Sequence, residues 1–144
     1  MTIWFGDVSL ELVRERSQNT LVSHLGIEWL ELGDDFLSAK MPVDARTHQP
    51  AGMLHGGASV ELAETLASWA ATFAVDREKH HGVGLEINAN HAREGASGWV
   101  LGTARPLHLG RSTHIWDVRI TDEQQRLVCV SRVTMAVLAM ANRY

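Results

Sequence analysis

From Gly57 to about Val75 the apolar residues recur at helical spacing. Leu62, Leu66, Trp69 and Phe73 fall at i, i+4, i+7 and i+11, a narrow stripe along one face. Downstream the period changes to two. In "STHIWDVRIT" (112–121), His114, Trp116, Val118 and Ile120 alternate with Ile115, Asp117, Arg119 and Thr121, the pattern of a strand with one covered face. "VGLEINANHAR" (83–93), "GWVLGTARPLH" (98–108) and "LVCVSRVTMAVLAM" (127–140) read as further strands, the last entered through the turn "DEQQR". Upstream, Ser9 to Ser17 reads as a short helix, and "LGIEWLELGDDFLSAKMPV" as two strands around the Gly33-Asp34-Asp35 turn. "DARTHQPAGMLHGG" is loop, punctuated by Pro50, Gly52, Gly56 and Gly57, and "DREKHHG" is a polar turn that closes the long helix. This order predicts an α+β fold in which an antiparallel sheet packs on one central helix. No linker divides the chain, so residues 1–144 are expected to form one domain.

The helix face opposite the apolar stripe holds Val60, Glu64, Ala67, Ser68 and Ala71. A surface helix would carry charge there; this one carries a single acid among small residues. The expectation is a helix covered on both sides, by a second subunit, a substrate or both. Glu64 is then a partly desolvated carboxylate of enhanced basicity, with Ser68 one turn later on the same face. The alternative is a carboxylate merely satisfied at an interface. Glu61 reads as an ordinary first-turn acid, turned away from Glu64 and favoured by the macrodipole.

Just before the helix, "HGG" (55–57) presents free backbone N–H groups at a positive dipole end, suited to an oxyanion. His55 either orients a carbonyl or caps the loop, and the Gln49 amide, six residues upstream, is a candidate second donor. Other chemistries lack their residues. "GASVE" is not a nucleophile elbow, and no zinc, P-loop or dinucleotide signature occurs; no metal ligands are expected.

Composition narrows the partners. A hydrophobic fraction of 45% with 21% charged residues is that of an ordered globular chain. The net charge of -4 argues against nucleic acid. The lone Cys129 excludes an intramolecular disulfide, fits a reducing compartment and reads as buried and inert. No apolar run is long enough to span a membrane, and the first residues lack a signal-peptide core, so the expected location is cytoplasmic.

"MPVDARTHQPAGMLHGGASVELAETLAS", with "VGLEINANHAR" and "PLHLGRSTHIWDV", resembles the hotdog-fold acyl-CoA thioesterases of the PaaI-like group over nearly the whole chain. The resemblance is to the branch that contains the dihydroxynaphthoyl-CoA hydrolase of menaquinone synthesis and a hydrolase that clears mischarged aryl carrier protein. It implies hydrolysis of acyl-CoA, and of aryl substrates in particular. It implies Glu64 as nucleophile or general base, Gln49, His55 and Gly56 around the thioester carbonyl, and Ser68 as helper. It also implies contacts to coenzyme A from Gly84, His91, Ala92 and Arg93, and from the turn His108, Leu109, Gly110, Arg111, Ser112 and Thr113. Coenzyme A is part of the substrate, and no separate cofactor is implied. Such proteins are built as homodimers, usually paired into homotetramers, with each active site at a subunit interface. Arg111-Ser112 stands in the reverse order to the Ser-Arg of similar proteins, which leaves open which of the two meets phosphate.

Two other functions are compatible with the same fold. A hydratase or dehydratase of acyl thioesters needs an acid–base pair, for which His55 and Glu64 are available. A non-catalytic acyl-CoA-binding module would bind without releasing thiol. Trp69, Met53 and Phe73 are candidates for an acyl pocket, although Trp69 and Phe73 belong to the core stripe.

Overall fold

The computed structural model describes residues 1–141. In chain order its elements are α1 (Leu10–Ser17), α2 (Leu21–His24), β1 (Glu28–Leu32), β2 (Leu37–Val43), α3 (Gly56–Phe73), β3 (His80–His91), β4 (Gly98–Leu109), β5 (Thr113–Asp122) and β6 (Leu127–Ala139). The six strands form one sheet in the order β1-β2-β4-β5-β6-β3, and every neighbouring pair is antiparallel. α3 packs against β2, β3, β4, β5 and β6, so the sheet wraps one helix. This is the α+β arrangement the periodicity predicts.

The core follows from the two periods. Leu62, Leu66 and Phe73 of α3 are fully buried, as are Trp116, Val118 and Ile120 of β5. Gly102 of β4 lets the helix approach closely: a Cβ there would lie 2.7 Å from Leu66. His114, on the same inner face of β5, is 3% exposed, and burial, with His108 nearby, pushes its pKa down. Cys129 is buried and unpaired, and burial pushes its thiol up.

The small residues of α3 have a different cover from the one expected. Ala67 and Ala71 are fully buried within this single chain. A Cβ added to Gly82 of β3 would lie 3.6 Å from that of Ala71, so small residues on both elements let β3 lie close to the helix. On the remaining flank Leu21 and Val22 of α2 stand beside Glu61, Glu64 and Thr65. α2 itself has no counterpart in the sequence pattern: four residues are too few for a period. It is held by Thr20 and Ser23, the Thr20 N–H donating to Ser23 Oγ at 3.2 Å. β3 also begins earlier than expected, because His80, His81 and Gly82 pair with Ala139, Leu138 and Val137 instead of forming a turn. β3 lies at a sheet edge, where polar residues are tolerated.

The N-terminal segment closes the far end of the helix. Phe5 N–H donates to the Phe73 carbonyl at 2.7 Å. The Trp4 ring stacks on Trp116 at 6.3 Å and meets Phe73 edge-on at 6.3 Å. Its indole N–H donates to the Gly33 carbonyl at 2.6 Å. Trp4→Ala is therefore expected to destabilise the fold by roughly 3–5 kcal/mol through lost aromatic packing, measured as a lower urea midpoint with an unchanged m-value.

Candidate active site

The loop from Val43 to α3 is held almost entirely by its own hydrogen bonds. Thr47, 2% exposed, donates its hydroxyl to the Pro42 carbonyl at 2.6 Å and accepts from Asp44 N–H. The hydrogen bond from the Arg46 side chain holds the Asp44 carboxyl down at about 2. His55 N–H donates to the Thr47 carbonyl at 2.7 Å and Gln49 N–H to the Met53 carbonyl at 2.7 Å. Gly52 completes the tight turn at φ +81, a conformation glycine adopts without strain. Gln49 is thereby fixed in orientation. Its Oε1 accepts from Ala51 N–H, which leaves the Nε2 end to donate outward.

The loop delivers the chain into α3 with His55 as N-cap. His55 Nδ1 accepts from Gly57 N–H at 2.8 Å, so Nδ1 carries no proton and the neutral ring bears it on Nε2. The cap occupies Gly57 N–H but leaves Gly56 N–H without a hydrogen bond among the described residues. Gly56 lies close against the His91 ring, where a Cβ would stand 3.1 Å from it. Gly56, Gln49, His91, Ala92 and Arg93 line one cavity of about 460 Å³, together with Ser59, Glu94 and Val128. The Val128 carbonyl accepts from Ala92 N–H at 2.8 Å and Arg93 N–H at 3.3 Å, which fixes this rim. Five expected site residues thus meet at the positive end of the helix dipole.

Glu64 lies elsewhere. It is exposed in the single chain and, with Ser68, borders a separate groove of about 340 Å³ between α2 and α3, lined also by Leu21, Val22, Glu61, Thr65 and Trp69. Gly84 adjoins it: a Cβ there would stand 2.9 Å from Glu64 Oε1. Glu64 stands eight positions after Gly56 along the helix, an axial distance of about 12 Å. Trp69, half-buried, serves both stripe and groove, whereas Phe73 is core.

The assignment of Glu61 has to be corrected. Three residues of helix turn about 300°, so Glu61 and Glu64 stand only about 60° apart. Both line the same groove. Glu61, not Glu64, is the carboxylate that the single chain desolvates, and burial pushes its pKa up. Thr65 Oγ1 donates to its Oε1 at 2.6 Å, while its Oε2 is buried without a partner. It stands in the second turn, beyond the end of the dipole.

The turn from His108 to Thr113 is not brought to the first cavity. Register places Thr113 opposite Ala136, and Ala136 opposite Val83. Ile120 pairs with Cys129, and Cys129 with His91. The turn therefore lies level with the Gly84 end of β3, roughly 23 Å along the strand from His91. Within one chain the expected residues fall into two groups: Gln49, Gly56, His91, Ala92 and Arg93 at one end, and Glu64, Ser68, Gly84 and His108–Thr113 at the other. His55 lines a third, smaller cavity with His48, Arg46 and Glu61. Among the described residues no group of three or more His, Cys, Asp or Glu side chains is placed to hold a metal, and no helix is long and apolar enough to cross a membrane.

Comparison with known proteins adds what geometry alone leaves open. Residues 51–129 match the family model described as "Thioesterase superfamily". A putative esterase of Vibrio cholerae is 56% identical over 137 residues, covering 95% of this chain and 91% of that protein. The proofreading thioesterase EntH of Cronobacter turicensis is 52% identical over 136 residues, covering 94% and 98%. A crystal structure of a mutant thioesterase from Pseudomonas aeruginosa superposes with a TM-score of 0.94 at 45% identity, covering 96% of this chain and 100% of that one.

The Glu61 environment has a measurable consequence. Its pKa in the native state lies above the unfolded value of 4.5, so the native state holds the proton more tightly. That contribution is fully present below pH 4.5 and is lost as pH rises through the native value. Glu61→Gln is expected to raise the Tm at pH 7–8 and leave it nearly unchanged at pH 4, measured by calorimetry across that range.

Proposed function

This chain belongs to the thioesterase superfamily and is a thioester hydrolase with the hotdog fold; from that premise we propose that it cleaves aryl acyl-CoA and related carrier-bound thioesters at sites shared between two copies of itself. The single observation that carries the shared site is the separation of Gly56 from Glu64. Gly56 N–H and the Gln49 amide are donors suited to a thioester carbonyl, yet Glu64 stands about 12 Å further along the helix, and Glu61, nearer by axis, faces the groove beside α2 instead.

A second copy removes the difficulty. β3 is a twelve-residue edge strand carrying the exposed Leu85 and Val83, and an unpaired edge of that length is a template for pairing. Gly56 adjoins His91 and Glu64 adjoins Gly84. Antiparallel pairing of two β3 strands about a two-fold axis near Ile87–Asn88, midway between Gly84 and His91, sets the Gly84 end of one copy beside the His91 end of the other. Glu64 and Ser68 of one protomer then face Gly56, Gln49 and His91 of its partner. The same operation brings the His108–Thr113 turn of one copy toward Arg93 of the other. Arg93 and Arg111 then flank the phosphates of coenzyme A from different chains. Two such dimers pair into a tetramer.

In this site the thioester oxygen rests on Gly56 N–H and the Gln49 Nε2–H. Each donor is worth about 3 kcal/mol to the developing oxyanion. His55 contributes through its cap on Gly57 N–H, which leaves Gly56 N–H as the free donor. Glu64 either attacks the carbonyl carbon to give an anhydride that water then cleaves, or takes a proton from the attacking water. Both routes pass through the same oxyanion, and collapse expels the thiolate of coenzyme A. Thiolate is a good leaving group and needs no strong general acid. The aryl preference and the carrier-bound substrates follow from the resemblance drawn in the sequence, and the Trp69-lined groove of about 340 Å³ beside Glu64 offers room for an aryl group.

Glu64→Gln is expected to lower kcat for benzoyl-CoA by roughly 10³-fold or more while the Kd for a non-hydrolysable analogue stays within a few-fold. Near wild-type thiol release from the variant would remove Glu64 from the mechanism. Crotonyl-CoA should be hydrolysed without hydration, since a hydratase would add water across the double bond and release no thiol.

A further inference from the structure

Ser59 is one helical turn beyond Gly56 and is 1% exposed, yet it lines the same cavity as Gly56, Gln49 and His91. A serine inside a helix commonly returns its hydroxyl to the carbonyl four residues back. Thr72 does this in the same helix, donating to the Ser68 carbonyl at 2.8 Å. Ser59 does not. The His55 carbonyl, four residues back, accepts instead from the Ala58 and Ser59 N–H groups at 3.0 and 3.3 Å. The Ser59 hydroxyl has no hydrogen-bond partner among the described residues. Its oxygen is not among the fully buried polar atoms left without a partner, which are Glu61 Oε2, His114 Nδ1 and Trp116 Nε1, so it opens onto the cavity that Ser59 lines. Helical side chains lean toward the N-terminus, which carries this one over the turn that holds Gly56.

An unpartnered hydroxyl that opens onto the cavity, beside an unpartnered backbone N–H of the same lining, is a pair of donors with one missing acceptor. We propose that Ser59 is a further substrate-contacting residue, its hydroxyl donating to the same thioester oxygen as Gly56 N–H. The inference rests on the thioesterase reading of this cavity and adds a third donor to the oxyanion site. It assigns Ser59 as a donor and not a nucleophile. Donors lie around the carbonyl oxygen, whereas attack on the carbon comes from another direction, the one assigned to Glu64. The hydroxyl keeps its proton throughout, and no bond to Ser59 forms or breaks. Glycine at 56 and serine at 59 thus act together: one exposes its N–H, the other supplies a hydroxyl that the helix does not use.

The test compares wild type, Ser59→Ala and Ser59→Cys on benzoyl-CoA, together with binding of a thioether analogue of the substrate that lacks the carbonyl oxygen. Ser59→Ala is expected to lower kcat roughly 10- to 100-fold, less than a full oxyanion-hole deletion because Gly56 and Gln49 remain. KM and analogue affinity should stay within about two-fold, with Tm unchanged, and Ser59→Cys, a weak donor, should fall between. A kcat within two-fold of wild type in Ser59→Ala would overturn the proposal. So would a loss of kcat matched by an equal loss of analogue affinity or by a lowered Tm, since that is the mark of a packing role. An acyl group found on Ser59 by mass spectrometry after acid quench would overturn the donor assignment. Failure of the wild type itself to release thiol from any acyl-CoA would instead refute the thioesterase reading, whatever Ser59 does.

Discussion

The stiffness of α3 governs the rest of the structure. A helix advances about 1.5 Å per residue and cannot fold back on itself, so Gly56 and Glu64 stay about 12 Å apart whatever the loops around them do. The oxyanion donors belong to the start of the helix, because only there are backbone N–H groups unpaired. The carboxylate stands two turns further on. In the mechanism proposed above, one chain therefore carries two half-sites, and the edge strand β3, whose two ends lie against Glu64 through Gly84 and against Gly56 through His91, is the element proposed to join them.

The half-site at the helix start is prepared by hydrogen bonds already made. His55 caps Gly57 and so selects Gly56 as the free donor. Gln49 is held through its own oxygen, so the nitrogen is the end that remains. Thr47, buried under the loop, accepts from His55 N–H and donates to the Pro42 carbonyl, which ties the cap to β2. Preorganisation of this kind matters because donors already in place need no reorganisation when charge develops. The other half-site is less organised in one chain. Glu64 is exposed, and Glu61 beside it is half-buried with its Oε2 left without a partner.

Much of this was legible in the residues. The alternation in β5 and the stripe of α3 gave the sheet and the helix, because period and burial are directly linked. The loop–glycine–helix sequence showed where an oxyanion would sit, because helix starts have a fixed chemistry. Illegible features depended on neighbours distant in sequence. Periodicity identified Ala67 and Ala71 as facing something close, but not that β3 was that neighbour. α2 was too short to carry a pattern. The polarity of His80, His81 and Gly82 resembled a turn because edge strands share that composition. Glu61 was misplaced on the helical wheel, and its burial arises partly from α2. The division of the site into halves followed only from the register that sets His108–Thr113 level with Gly84.

Subunit complementation tests the shared site most directly. Glu64→Gln protein, and protein carrying Gln49→Ala with His91→Ala, would be unfolded together, refolded as a mixture and assayed for thiol release. Random pairing makes half the dimers mixed, and each mixed dimer has one site with both halves intact, so about a quarter of wild-type activity should return. A mixture no more active than the sum of its parents would place the whole site within one chain and contradict the account.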